Sequence, residues 1–462
     1  MKKHKNCPVI IPRQEHGISR KFMSPNALRT LYRLRDSGFV GYLVGGCVRD
    51  LLLGREPKDF DVVTNATPGE LKRIFRNCRL IGRRFRLAHL HYHDEIIEVA
   101  TFRSQTVDEP EPEPKVVHGA EQRQRHTQTL KDDDGMILRD NVYGTPAEDA
   151  QRRDFTVNAL SYNIADFSII DYTGGLADLA AGIIRTIGDP AVRFQEDPVR
   201  MLRAVRFAAQ LSFSIEEATR TALVAAADTI VRAAPARLYE EMLKIFFSGE
   251  SARCCELLRQ TGLFAALFPN FSRWLNVESE GFPHIRFGEM LTCVDGRIQQ
   301  GGKVSSPLLL ALLFGEYIDE KVVRFRRLGA PWRQGVDAAV AEFMGETCPR
   351  VMIMNRIGNA LCSIISQQTR LNKIPGRRPE SFIAHRDFND IIDYSRITRG
   401  SNIDVAKQLD WWMSQAEKLG PMPVPPLSNC TEHGDALQRK KRRRRRRKSP
   451  GKRNATAQAA HV

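Results

Sequence analysis

No stretch of this 462-residue chain stays apolar long enough to cross a bilayer as a helix. A helical span needs about 20 consecutive apolar residues. The longest candidate, Leu308 to Phe314, suits a buried helix instead. MKKHKNCPVIIPRQ does not read as a secretory leader either, because it is basic but only Val9-Ile10-Ile11 follow as an apolar run. The nine cysteines include no C-x-x-C pair, are odd in number, and put Cys254 beside Cys255. That argues against a disulfide framework and for reduced thiols in a cytoplasm. Acid is absent from residues 439–453, RKKRRRRRRKSPGKR, which hold twelve Lys or Arg of a chain whose net charge is +16. The remainder carries about +4 (16 − 12), so the folded part is mildly basic and the tail supplies the extreme. The length exceeds one core and predicts about three domains.

What is present concentrates in residues 43–64, LVGGCVRDLLLGREPKDFDVVT. An apolar run ends in Gly45-Gly46, a helical pattern follows, and Pro57-Lys58 turns the chain into Asp59-Phe60-Asp61. On a strand, Asp59 and Asp61 point the same way. Side-by-side carboxylates repel, and a hard cation such as Mg²⁺ working on substrate phosphates is the natural compensation. The glycines let backbone approach an anion at the start of the helix, and Arg49 adds a charged fork. A glycine pair alone is often only a turn, and an isolated D-x-D is often solvated charge. The order strand, GG, helix, D-x-D in so short a span outweighs both bland readings.

Residues 1–24 read as an extension outside the core, and Ser24-Pro25 starts a helix through Asp36. Thr67-Pro68 opens another. Residues 80–103 alternate like paired strands. Within them His89, His91 and His93 share a face, but three evenly spaced residues on one strand seldom surround a metal. They read better as hydrogen-bonding or RNA-facing histidines. Glu98, on the returning strand, is a further candidate metal ligand or simply an acid at a strand edge. Residues 107–134 read as a long loop, rich in Pro and Glu, then Gln and Arg.

Further on, Arg152-Arg153-Asp154 is followed by Asn158, and RFQEDPVRMLRAVRFAAQL spans 193–211. Asp197-Pro198 marks a helix start there, and Glu196, Arg200 and Arg203 are spaced to share one exposed face. The pattern then stays helical, with helices expected at Leu308–Phe314, Val322–Leu328, Val336–Phe343 and Arg356–Ile365 and a last one closing at Trp411-Trp412. PMPVPPL then reads as an unstructured linker, and from Gln438 onward almost nothing apolar is available to bury, which predicts disorder.

GGCVRDLLLG, KDFDVVTNATP, RRDFTVNAL and EDPVRMLRAVRFAA resemble the polymerase β-type nucleotidyltransferases. The wording is similar to the branch of tRNA nucleotidyltransferases and bacterial poly(A) polymerases. The resemblance implies an α+β fold: a mixed-sheet head (25–190), an all-α neck (191–271) and body (272–420), and a disordered basic tail (421–462). It implies a two-metal displacement with two Mg²⁺, catalytic carboxylates Asp59, Asp61 and Asp154, and phosphate or nucleotide contacts at Gly45, Gly46, Arg49, Arg152, Arg153 and Asn158. The EDxxR segment would read the incoming base through Asp197 and Arg200, with Glu196 and Arg203 in support. One departure is Cys47, where a third glycine is frequent, which bears on nucleotide affinity rather than chemistry.

Three functions compete: ATP-dependent polyadenylation of RNA 3′ ends, which the N-terminal extension, GRRFRLAHLHYHDEIIEVATFR and the basic tail favour; CCA addition to tRNA; and noncatalytic RNA binding, which the complete set of acids disfavours. The expected partners are RNA 3′ ends, ATP and RNA-decay proteins, for a cytoplasmic monomer. Arg439, Lys440, Lys441, Arg442, Arg443, Arg444, Arg445, Arg446, Arg447 and Lys448 would form a sequence-blind RNA arm.

Overall fold

Ser24 starts the first helix through its side chain, whose hydroxyl accepts from the N–H groups of Asn26 and Ala27 while Pro25 takes the first turn. The computed structural model describes residues 7–82, 87–104, 130–131, 137–139, 143–277 and 284–420. There α1 (Pro25–Asp36) buries Ala27, Leu31 and Leu34 in the core of an eight-stranded mixed sheet.

The first strands are β1 (Val9–Ile11), β2 (Gly41–Val44), β3 (Asp61–Thr64), β4 (Cys78–Ile81), β5 (Leu87–His91) and β6 (Ile96–Thr101). A separate two-stranded ribbon pairs β7 (Leu130–Lys131) with β8 (Ile137–Arg139). Two more strands, β9 (Ser161–Asn163) and β10 (Ile169–Asp171), complete the sheet in the order β1-β10-β9-β2-β3-β6-β5-β4. Most of the expected loop 107–134 lies outside the described residues, as do Arg439 to Lys448 and the rest of the tail.

Only β3 and β6 run parallel within this sheet. The register sets Val44 beside Asp61 and Asp61 beside Glu98, so an acid on each parallel strand falls in one row. The N-terminal segment differs from expectation. Its β1 extends the sheet beside β10, and Ile18 and Met23 are buried in the head core. The apolar run Val9-Ile10-Ile11 offers a strand partner that its basic surroundings obscured.

Four short helices complete the head: α2 (Gly46–Leu52), α3 (Pro68–Ile74), α4 (Pro146–Gln151) and α5 (Gly175–Ala181). A break at Asp197-Pro198 separates α6 (Pro190–Glu196) from α7 (Val199–Leu211). The neck continues with α8 (Glu217–Ala226), α9 (Pro235–Phe246), α10 (Ser251–Gln260), α11 (Leu263–Leu267) and α12 (Pro269–Leu275). The body runs from α13 (Arg286–Gln299) through α14 (Ser306–Arg327), α15 (Trp332–Thr347) and α16 (Asn355–Ser366) to a final helix at Ile403–Leu419.

Two helices expected at Leu308–Phe314 and Val322–Leu328 are one, α14. Gly315 does not interrupt it; the residue clears space for Tyr394, whose hydroxyl lies 2.6 Å from where a Cβ would sit. Neck and body share one apolar core, running from Phe155 to Trp412. No helix among the described residues is long and apolar enough to cross a membrane, and the eight described cysteines are free thiols.

Candidate active site

Asp59 and Asp61 line one cleft of about 810 Å³, together with Gly46, Arg49, Arg206, Phe207 and Lys244. Only Asp61 belongs to β3; Asp59 precedes the strand, and the intervening Phe60 is buried. The two acids are therefore brought together by the turn after Pro57 as well as by strand alternation. Asp61 is open to the cleft but hemmed in by protein elsewhere. Burial, then the Glu98 carboxylate, push its carboxyl up to about 6, with Asp59 adding to the rise and Arg153 and Arg203 opposing it. Glu98 also sits 3.2 Å from His89, and the rings of His89 and His91 lie 6.2 Å apart on β5. Among the described residues, no three acid, His or Cys side chains already converge as a metal cage.

Gly45 adopts φ +77, a conformation glycine takes without strain, and the Arg153 guanidinium lies 3.2 Å from where its Cβ would be. The glycine turn and the RRD segment thus meet at one point. Arg153 and Arg152 are both anchored by the buried Asp149, at 3.2 Å and 2.7 Å. Burial works against the Asp149 charge, but these two guanidiniums hold the carboxyl below its usual range. Arg49 is buried, donating to Asn158 Oδ1 at 2.6 Å and to Asp50 at 2.8 Å. Cys47 packs beneath the turn with its thiol pushed to about 12 by burial, so it is a neutral filler.

Asp154 is tied down. Its carboxylate accepts from Arg203 Nε at 2.6 Å and from the Phe155 N–H at 2.9 Å, with a longer contact from the Asn158 amide at 3.5 Å. Burial would raise its pKa, but Arg203, Arg200 and the Phe155 N–H outweigh it and hold the carboxyl low. Glu98, in register with Asp61, is the acid that β6 sets beside the metal-binding candidates.

The α6–α7 corner faces inward, contrary to the exposed face expected for Glu196, Arg200 and Arg203. Glu196 is buried and accepts from Arg193 at 2.9 Å and Arg200 at 3.4 Å. Arg193 and Arg200 in turn donate to the carbonyl of Arg152, and Arg193 also to that of Arg153 at 2.6 Å. Asp197 takes a two-pronged contact from Arg237, 2.9 Å to each oxygen. Helix spacing alone placed these side chains on one side of a helix; the break at Pro198 and the RRD loop decide that this side is covered.

Several participants escaped the sequence reading: Asp149, Arg193, Arg206, Phe207, Arg237 and Lys244. Asp149 stood four residues before Arg153, a spacing that signals an intrahelical pair. The others depend on contacts between distant segments, for which no local signal existed.

The chain resembles known proteins over most of its length. Residues 41–185 match the poly A polymerase head domain, 212–275 the probable RNA and SrmB-binding site of polymerase A, and 328–449 the polymerase A arginine-rich C-terminus. The poly(A) polymerase I of Salmonella typhi is 40% identical over 407 residues, covering 87% of this chain and 85% of that protein. A CCA-adding enzyme of Bacillus velezensis is 33% identical over 259 residues, covering 56% and 59%. Among solved structures, the Bacillus stearothermophilus CCA-adding enzyme in complex with CTP superposes with a TM-score of 0.55 at 25% identity, covering 86% of this chain and 84% of that one.

Proposed function

The chain belongs to the poly(A) polymerase family and is a polynucleotide adenylyltransferase acting on RNA, and on that premise we propose that Asp59 and Asp61, with Glu98 beside them, hold two Mg²⁺ during transfer of AMP from ATP to an RNA 3′-hydroxyl. The observation that carries the metal reading is the row Asp61–Glu98 with Asp59 nearby, in which burial first, then the Glu98 charge and more weakly that of Asp59, raise Asp61 to about 6. The donor set fits, because Mg²⁺ takes one or two carboxylates and completes its shell with water and substrate phosphates rather than a full protein cage. Bound there, the ions would sharpen the 3′-hydroxyl as a nucleophile and neutralise charge on the leaving pyrophosphate.

The chain's own groups do the rest. Arg49, Arg153 and Arg206 present positive charge to the triphosphate, and Gly45 keeps the turn clear for the Arg153 guanidinium. Asp154, which accepts from Arg203 and from the Phe155 N–H, orients Arg203 and stands as the third catalytic carboxylate. Asp197 and Arg200 read the adenine edge, Asp197 exchanging its Arg237 contact for the base's amino group. Glu196 and Arg193 fix the carbonyls on which that reader rests. The chain's match to the 212–275 segment supports RNA contact in the neck, and the products fit tails that mark RNA for decay by partner proteins in a cytoplasm. A monomer suffices for this chemistry, because every group named comes from one chain.

Polyadenylation is favoured over CCA addition by coverage: 87% of the chain aligns with the poly(A) polymerase and 56% with the CCA-adding enzyme. Incubating the purified protein with Mg²⁺, RNA and each nucleotide separately tests the reading. Long A tracts on unrelated RNAs are expected, and addition confined to tRNA ends with use of CTP would overturn it. Asp59→Ala and Asp61→Ala should each lower the rate at least about a thousandfold with the fold intact. Activity surviving in either variant would remove the metal assignment.

A further inference from the structure

Phe207 lies on α7 in the wall of the catalytic cleft, and three guanidinium groups gather around its ring. The guanidinium carbons of Arg206, Arg203 and Arg49 lie 4.4, 5.1 and 5.2 Å from the ring centre. Each arginine has an acid of its own: Glu241 for Arg206, Asp154 for Arg203 and Asp50 for Arg49. Those acids leave unanswered how three like charges share one ring's surroundings. At Arg206, burial first and then the Arg203 charge hold the group below its usual value despite Glu241.

We propose that Phe207 is a positioning residue whose π face holds Arg49, Arg203 and Arg206 together for the triphosphate without adding negative charge to the cleft. A ring quadrupole attracts cations electrostatically, most strongly when they are removed from water. A carboxylate in the same place would gather the arginines equally well. It would also repel the substrate phosphates and crowd Asp59 and Asp61 with a further acid. The ring separates these two effects, since it orders the three guanidiniums without bringing a further acid into the cleft. The ring is itself held edge-on by Phe155, at 5.9 Å and 81°, directly after Asp154. Geometry set at the RRD segment thereby reaches the phosphate side of the cleft through aromatic contact.

This inference rests on the reading of the cleft as the ATP site. Stepwise ring fluorination at Phe207, introduced with unnatural amino acids in the full chain, alters the quadrupole while nearly preserving shape. The expected result is a KM for ATP that rises with each fluorine, reaching about tenfold on the fully fluorinated ring, with kcat within about twofold. Pyrophosphate inhibition should weaken in parallel. Phe207→Leu should resemble the fully fluorinated protein, and Phe207→Trp should keep a KM near that of the parent. A KM flat across the fluorinated series overturns the proposal, as does a loss confined to kcat. Asp61→Asn, assayed alongside, separates the two failures. A dead Asp61→Asn protein with a flat series sinks the aromatic hub alone, whereas an active one sinks the ATP-site reading beneath it.

Discussion

Asp61 carries the clearest pH signature. Its carboxyl is raised to about 6 from 3.8, so the folded protein binds this proton more tightly than the unfolded chain does. The resulting stabilisation is fully present below the unfolded value and is lost as pH rises through about 6. Above that pH, unmetallated Asp61 costs stability, by up to about 1 kcal/mol once solvent screening is discounted. Asp61→Asn should therefore raise the melting temperature of the metal-free protein at pH 7.5 while leaving it nearly unchanged at pH 4. Added Mg²⁺ should stabilise the parent above pH 6 and progressively less below it, because protonation and metal compete for the same oxygens. Calorimetry in EDTA and in Mg²⁺ at several pH values reads both effects; a Mg²⁺ shift independent of pH would detach Asp61 from the metal. This acid was legible from D-x-D alone. Its partnership with Glu98 was not assured, because it depends on a parallel register that nothing local dictates.

At the scale of elements, α6 and α7 show where sequence reading stops. The break at Asp197-Pro198 and the apolar face of α7, with Met201, Leu202, Val205, Ala208 and Ala209 buried, followed from proline chemistry and helical spacing. That the charged side would pack against the RRD loop, with Glu196 buried, did not follow, since helix periodicity identifies a face and leaves its neighbour unstated. The α14 helix shows the same limit: helices expected at Leu308–Phe314 and Val322–Leu328 are one, and Gly315 within it makes room for Tyr394. Arg193 is the most consequential of the hidden contacts. It is 4% exposed, pairs with Glu196 and donates to two carbonyls of the RRD loop. Arg193→Ala leaves a buried carboxylate and two carbonyls short of a donor, and should cost roughly 3–5 kcal/mol. Arg193→Lys should recover only part of this, because a point-like ammonium cannot reproduce the planar fork. Denaturant titration measures the loss. A change under about 1 kcal/mol for Arg193→Ala would show that Arg200, which donates to the same Arg152 carbonyl, holds the corner unaided.

Over the whole molecule, division of labour follows charge and burial together. The head brings the carboxylates, while neck and body share a core in which Phe264, Phe268, Phe271, Phe287, Phe314 and Phe343 interlock across the expected boundary at 272. Composition indicated helices on both sides of that boundary, but one core was not readable, because apolar faces do not name their partners. Such a scaffold carries only about +4 of the +16 net charge. Long RNA held by so little charge would bind weakly at physiological salt, so we propose that Arg439–Lys448 supply the affinity that does not depend on sequence. Deleting 438–462 should then leave kcat at saturating RNA within about twofold, since no cleft residue is lost, and raise the KM for RNA mainly at low salt. For single-stranded RNA each neutralised phosphate contributes about 0.7 to the slope of log affinity against log salt. The ten cations of Arg439–Lys448 could steepen that slope by up to about 7, and the truncated protein should be shallower by the share they engage. Filter binding of one unstructured RNA across a salt series measures both slopes. Equal slopes would exclude the tail as the RNA arm and return the anchoring role to the neck and body.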